Sequence, residues 1–384
     1  SSTMIDLGYQ SGQAPDLFET CDFLKLSSNG SLLAYEDLPG GEDYIKQFDG
    51  MLRETVNTMN GKTYTVIRKY GATTRALLYN KDMFKKAGIV DENGEAKPPK
   101  TYAELREDAK KLTNAEKGKY GIIIPMKWGT FFENDIRALM QTDVGNIGYD
   151  PTTGYYDYSA LKPVMEMYTG IKKDKSYFPG AETLDNDSAR ARFAEGDIGM
   201  KLGASYDYGV LTSQFPAKCD WGVAPLPSLD EEPQYKQLYT LSYTPYINSA
   251  LKDRVSPEAI MEVMKFLNSD KIAKEQYKTG KGLPIDSSIV ESTKVSSDMK
   301  NWKDFASLTE ISTINPVSRK FDVSKYQSFS DRFINDIWNN GKSIDTLLKE
   351  YADLVNKEID AYQEAHPEYD GKQFILEKWD TKRK

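Results

Sequence analysis

Cysteine and histidine are nearly missing from this chain: 384 residues contain only Cys21, Cys219 and His366. Ligand sets built on Cys and His, such as structural zinc sites, and catalytic triads built on His cannot be assembled from so few of these residues. The two cysteines are far apart in sequence and read as free buried thiols, so cysteine usage does not assign a redox compartment. No apolar run approaches the roughly 18 residues that a membrane-spanning helix requires. Basic residues are also in the minority, with 50 Lys and Arg against 58 Asp and Glu and a formal net charge of −8. That balance argues against a nucleic-acid or anionic-membrane partner, either of which needs a positive surface.

Tyrosine is plentiful instead. The chain carries 25 Tyr within 12% aromatics, alongside 39% apolar and 28% charged residues. Tyr offers a flat apolar face and a hydroxyl together, which suits a wet binding surface. The length exceeds one ordinary core and suits two domains.

The most informative stretch is ARARFAEGDIGMKLGASYDY, Ala189–Tyr208. Ala189, Ala191, Phe193 and Ala194 give a helix an apolar side, and Gly196 stops it where a left-handed residue is cheapest. A strand from Asp197 to Leu202 follows. The chain then loosens through Gly203, Ala204 and Ser205 and sets down Tyr206 and Tyr208, with Asp207 between them, at the open end of a sheet, where α/β proteins place ligands. This segment resembles the F-x-x-G-x-x-A-M-x-x-x-G-x-W element of bacterial extracellular solute-binding proteins of family 1, the maltose-binding-protein-like group that feeds ABC importers. Phe193, Gly196 and Met200 fit; Gly199, Ala204 and Tyr206 stand where the family usually has Ala, Gly and Trp.

Further motifs follow in the family's order. SGQAPDLF near the start resembles G-x-x-P-D-[VIL], with a strand at Asp16 to Glu19. Asn60-Gly61 turns into a strand over Lys62 to Tyr70. RALLYNKDMFKKAGI, Arg75–Ile89, followed by Pro98-Pro99 and the capping box Thr101-x-x-Glu104, resembles the family's "YN-K-D-x-F-x-x-A-G … P-P-x-T-W/Y-x-E-L". Trp221–Leu226 before Pro227 resembles a strand returning toward the first lobe. Leu238 to Ile247 reads as one strand crossing a hinge, Ser256-Pro257 starts a helix, and Asn315-Pro316 reads as a turn at the last crossing. Helical period returns from Asp331 to Tyr362, and the tail beyond Glu364 is polar and expected to be peripheral.

The resemblance implies an α/β, two-lobed periplasmic-binding-protein-like (type II) fold. Lobe 1 is expected over 1–118 plus 245–312 and lobe 2 over 119–244 plus 313–384, with about three crossovers. The family's usual first strand, helix and second strand are not among these residues, so the chain is expected to begin late in the first lobe, the alternative being a shortened or differently started variant.

The function implied is capture of a sugar or oligosaccharide by hinge closure, with no catalytic residues, no cofactor and no metal. Such a shift from open to closed needs about 5.5 kcal/mol of differential binding. Trp128, Tyr206 and Tyr243 are the expected stacking platforms, with Trp128 equally readable as rim packing. Asp207 and Asp22 are expected to accept hydrogen bonds, Asp22 being otherwise a helix N-cap, and Arg75 either clamps an acidic group or lies on the surface. Glu133 and Asp135 read as hydroxyl ligands or as helix N-terminal charges. Alternatives are a non-sugar solute (peptide, polyamine or phosphorylated polyol) or a carbohydrate-active enzyme. The implied partners are the membrane permease subunits. The protein is expected to be monomeric and extracellular, lipid-anchored with signal and anchor outside this chain, or periplasmic in a Gram-negative cell.

Overall fold

A computed structural model describes residues 2–314, 316–367 and 369–383. The chain forms two compact units, a smaller one from Ser1–Ala72 with Leu241–Ser296 and a larger one from Thr73–Thr240 with Ser297–Lys384. It therefore passes between them three times.

The smaller unit opens with the helix Ser2–Ser11, ended by Gly12 at φ 69°. Leu17–Phe18 pairs antiparallel with Tyr246–Ile247. Two apolar clusters hold this unit together: Leu33, Tyr35, Val66, Ile247, Ile260 and Met264 in one, and Phe18, Phe23, Leu26 and Tyr64 in the other. The first cluster encloses polar atoms that satisfy one another. Thr65 Oγ1 donates to the Thr244 carbonyl at 2.5 Å, and the Val66 N–H donates to Thr244 Oγ1 at 3.1 Å. Asn268, equally buried, bridges Lys69 N–H and the Ile67 carbonyl. The helix Pro257–Leu267 starts as its sequence requires, with Ser256 accepting from the Ala259 N–H and proline at the first position. Lys62 to Tyr70 does not form one strand. Lys62–Thr63 closes a short hairpin with Thr58–Met59 through Asn60 and Gly61, both at positive φ, and a separate strand begins at Ile67. Leu238 to Ile247 also divides, into Gln237–Tyr243 and Tyr246–Ile247, because Pro245 cannot donate to a ladder.

The larger unit is built on a four-stranded sheet in the order Trp221–Ala224, Arg75–Asn80, Ile198–Ala204, Tyr120–Ile122. The first two pairings are antiparallel and the last is parallel. Every residue of Ile198–Ala204 is buried. Gly196 leaves the preceding helix, Asn186–Ala194, at φ 85°, the turn expected there. The helix Tyr102–Leu112 carries the expected capping box of Thr101 and Glu104 and lays Leu105, Ala109 and Leu112 into the core. Helices Lys162–Asp174 and Ile344–Ala365 contribute Val164, Met165, Ile171, Leu347, Val355 and Ile359 to the same core.

The division falls after Ala72, not after residue 118, because Arg75–Asn80 is hydrogen-bonded on both sides within the larger unit's sheet. Residues 297–312 also join this unit: Asn301 Nδ2 donates to the Trp221 carbonyl at 3.0 Å and Thr74 Oγ1 to the Phe305 carbonyl at 3.2 Å. Of the expected Asn315-Pro316 turn, Asn315 lies outside the described residues.

The tail is not peripheral. Lys236 N–H donates to the Thr381 carbonyl at 2.8 Å, Arg383 N–H to the Gln234 carbonyl at 2.9 Å, and Leu376 N–H to the Pro151 carbonyl at 2.7 Å. Trp379 Nε1 and Thr381 Oγ1 both donate to the Gly145 carbonyl, at 2.8 and 2.9 Å. Both cysteines are free and half-buried. Burial pushes Cys21 up to about 12 and Cys219 up to about 11, so both stay protonated thiols at neutral pH. Among the described residues no helix is long and apolar enough to cross a membrane, and no group of three or more His, Cys, Asp or Glu could hold a metal ion.

Two stability measurements follow. Asp108, on the helix Tyr102–Leu112, is buried, and burial pushes its carboxyl up to about 6, with Lys111 pulling it back from 3.8 Å. A folded pKa above the unfolded one stabilises fully below the unfolded value, and that stabilisation is lost as pH rises toward 6. Asp108→Asn should therefore raise stability at pH 7 by about 1–2 kcal/mol and leave it unchanged near pH 4, read by urea unfolding at both. Trp379→Ala combined with Thr381→Val strands the Gly145 carbonyl, at about 1–3 kcal/mol. Calorimetry should show a fall of roughly 2–4 °C for each kcal/mol lost.

Candidate functional site

Strand direction in the larger unit brings the candidate residues to one edge. Tyr120–Ile122 and Ile198–Ala204 run parallel, with Tyr120 opposite Ile198 and Ile122 opposite Met200, so their C-terminal ends emerge on the same side. Trp128 follows the first and Tyr206 the second. Arg75–Asn80 runs antiparallel with Arg75 opposite Ala204, so it begins where its neighbour ends. This is the edge at which open α/β sheets place ligands.

Arg75 ties these residues together. One guanidinium nitrogen donates to the Tyr206 hydroxyl at 3.1 Å. The other donates to the Asn134 carbonyl at 2.7 Å and to Asp135 Oδ1 at 2.9 Å. Its Cζ also lies 5.9 Å from the Trp128 ring centroid. Arg75 is 6% exposed and Asp135 2% exposed, so this is a buried ion pair and not a surface one. Burial pushes the Asp135 carboxyl up, and Arg75 pulls it back.

A second pair stands beside the first. Arg190, on the helix Asn186–Ala194, donates from Nε to Asp207 Oδ1 at 2.5 Å and from Nη1 to Asp187 Oδ1 at 2.7 Å. Its Cζ lies 5.1 Å from the Tyr206 ring centroid. Asp207 Oδ2 accepts from the Ala204 N–H at 2.8 Å. Lys201 is 1% exposed on the same strand and donates to the Leu202 carbonyl at 2.7 Å. Burial holds its ammonium below the usual lysine range, opposed by Asp207 and Asp135.

Tyr206, by contrast, is 42% exposed while its hydroxyl is held. Trp128 is half-buried and lines a cavity of about 600 Å³ whose wall includes Phe132, Glu133, Tyr326, Phe329 and Asp331. Phe132 stacks on Phe329 with ring centroids 4.0 Å apart, which fixes the aromatic floor. Lys127 and Glu182 also line this cavity.

Of the six residues singled out from the sequence, four meet here: Arg75, Trp128, Tyr206 and Asp207. Arg75 is neither a surface residue nor a free clamp. Asp207 turns inward, 1% exposed with both carboxylate oxygens engaged, and so holds the scaffold instead of facing a ligand. Asp22 and Tyr243 belong to the smaller unit. Asp22 caps the helix Phe23–Ser28 by accepting from the Lys25 N–H, its second reading, and Tyr243 packs half-buried against that unit's core. Tyr208 lies against Trp302, with centroids 5.3 Å apart. Asp135 is the buried partner of Arg75, whereas Glu133 is exposed on the cavity wall. Arg190 and Lys201 carry no motif that sequence reading could use.

Replacing Arg75 by Met should cost about 3–5 kcal/mol in urea unfolding, because Asp135 is left as an uncompensated buried charge. The double variant Arg75→Met/Asp135→Asn should recover most of that loss.

Comparison with known proteins gives this arrangement its context. The family model for bacterial extracellular solute-binding proteins matches residues 8–274. The maltotriose-binding protein of Pyrococcus abyssi is 29% identical over 224 residues, which are 57% of this chain and 43% of that protein. The sn-glycerol-3-phosphate-binding periplasmic protein UgpB of Yersinia enterocolitica is 26% identical over 237 residues, 59% of this chain and 50% of that one. The chain thus spans about half the length of the curated relatives it matches. In structure it is similar to the maltose/maltodextrin-binding domain MalE from Bdellovibrio bacteriovorus bound to maltotriose, with a TM-score of 0.65 and 20% identity, covering 94% of this chain and 88% of that one. With a family model covering more than half of its length and a shared fold, the chain belongs to the bacterial extracellular solute-binding proteins.

Proposed function

We propose that this protein is the substrate-binding component of an ABC importer and that it captures a sugar or oligosaccharide on Trp128 and Tyr206. The observation that carries this reading is a pair of aromatic rings at one sheet edge, one of them 42% exposed although its hydroxyl and one face are already braced by arginines. Flat rings held this way suit the C–H faces of a pyranose, and the braced Tyr206 loses little freedom on binding. The family supports a solute-binding role, and the maltotriose-binding relative supports a saccharide as the ligand class.

A phosphorylated polyol is the second reading. Lys127 on the cavity wall favours it, as does the glycerol-3-phosphate-binding relative. Arg75 and Arg190 favour the sugar, because each is already committed to aspartate. The protein acts as a binder and not an enzyme, as a monomer outside the cell membrane, lipid-anchored or free in a periplasm, and passes its ligand to membrane permease subunits.

A thermal-shift panel of maltotriose, chitotriose, glycerol 3-phosphate and spermidine tests this. A ligand at 100 times its dissociation constant adds about 2.7 kcal/mol. A shift with a saccharide that weakens roughly 2- to 10-fold in affinity in Trp128→Ala and in Tyr206→Ala is the expected result. A shift with glycerol 3-phosphate alone moves the assignment to the second reading, and release of shorter sugars from maltotriose would remove the binder assignment.

A further inference from the structure

Tyr206 is held from two directions by two arginines. Its hydroxyl accepts from Arg75 at 3.1 Å, which fixes the tip of the ring. The plane of the ring is a separate degree of freedom, and Arg190 is the group set against it, with Cζ 5.1 Å from the centroid. Arg190 is itself immobilised. Its Nε reaches Asp207 at 2.5 Å, its Nη1 reaches Asp187 at 2.7 Å, and its side chain is only 14% exposed. Asp207 is fixed in turn by the Ala204 N–H at 2.8 Å.

The seat of the Asp207 carboxylate depends on one glycine. A Cβ built on Gly203 would stand 2.8 Å from Asp207 Oδ2 and 2.6 Å from Leu78 Cδ1, so any larger residue there collides with both. Gly203, Asp207 and Arg190 thus form a chain of contacts that ends on one face of Tyr206.

We propose that Arg190 is a positioning residue for the ligand platform: anchored by Asp207, its guanidinium covers one face of Tyr206 and fixes which face a sugar can meet. This rests on the sugar-binding reading for its ligand but not for its geometry. Arginine is needed because a planar fork can bond two carboxylates and lie on a ring at the same time. Lysine keeps the charge near Asp207 but has no plane to offer.

The test places 3-fluorotyrosine at position 206 of the full chain and records its fluorine NMR line. The parent protein should give one narrow line. Arg190→Lys keeps the charge, and Arg190→Met with Asp207→Asn removes both charges together. Each should keep the circular dichroism of the parent while the fluorine line shifts or broadens. Maltotriose affinity, measured by calorimetry, should fall roughly 2- to 10-fold, as expected for a side chain that must now be ordered on binding. An unchanged line in the folded variants overturns the proposal, and so does loss of fold in both, because Arg190 would then be structural. If the parent binds no member of the saccharide panel, the functional reading fails, while the fluorine line still decides the role of Arg190.

Discussion

The larger unit's edge depends on charges held out of water in matched pairs. Arg75 with Asp135, and Arg190 with Asp207, sit where the central strands end, and Lys201 lies buried on the strand between. An isolated charge in such a place costs several kcal/mol, so each pair is stable only while both partners keep their geometry. That requirement makes the pairs useful: a group that cannot shift without stranding its partner is a rigid support. Tyr206 and Trp128 are what these supports hold, and both rings owe their orientation to residues that water hardly reaches.

Rigidity at this edge also explains how one strand serves two purposes. Ile198–Ala204 is buried throughout and bonded on both sides, which suits the centre of a sheet. Its last residues are small, and Gly203 leaves the space that the Asp207 carboxylate fills. The same strand that fixes the core therefore ends in a seat for the side chain that anchors Arg190. A larger residue at 203 would force the Leu78 and Asp207 side chains to shift.

Much of this was readable from sequence wherever the signal was local. The Thr101 capping box, the Ser256-Pro257 start and the left-handed glycine at 196 depend on neighbours within a few residues, and each is present. The parallel pairing that brings Trp128 and Tyr206 to one edge could be anticipated only through the resemblance, since no local pattern sets strand order. What failed was orientation. Asp207 follows a strand and precedes an aromatic, as a ligand-facing acid would, but its direction is decided by Arg190, 17 residues away. The tail misled for a related reason: its attachment runs largely through backbone groups, which every residue carries and no composition reveals.

The division of labour between the two arginines follows from their surroundings. Arg75 bonds the hydroxyl of Tyr206 and approaches the Trp128 ring, so it couples the two rings through a single guanidinium. Arg190 touches only the ring of Tyr206 and answers to Asp207 and Asp187. A change at Arg75 is therefore felt by both aromatics and by Asp135, whereas a change at Arg190 is felt by one ring and by Asp207. The two pairs are thus separable: a change at Arg190 disturbs Tyr206 and Asp207 without dismantling the Arg75–Asp135 pair beside Trp128.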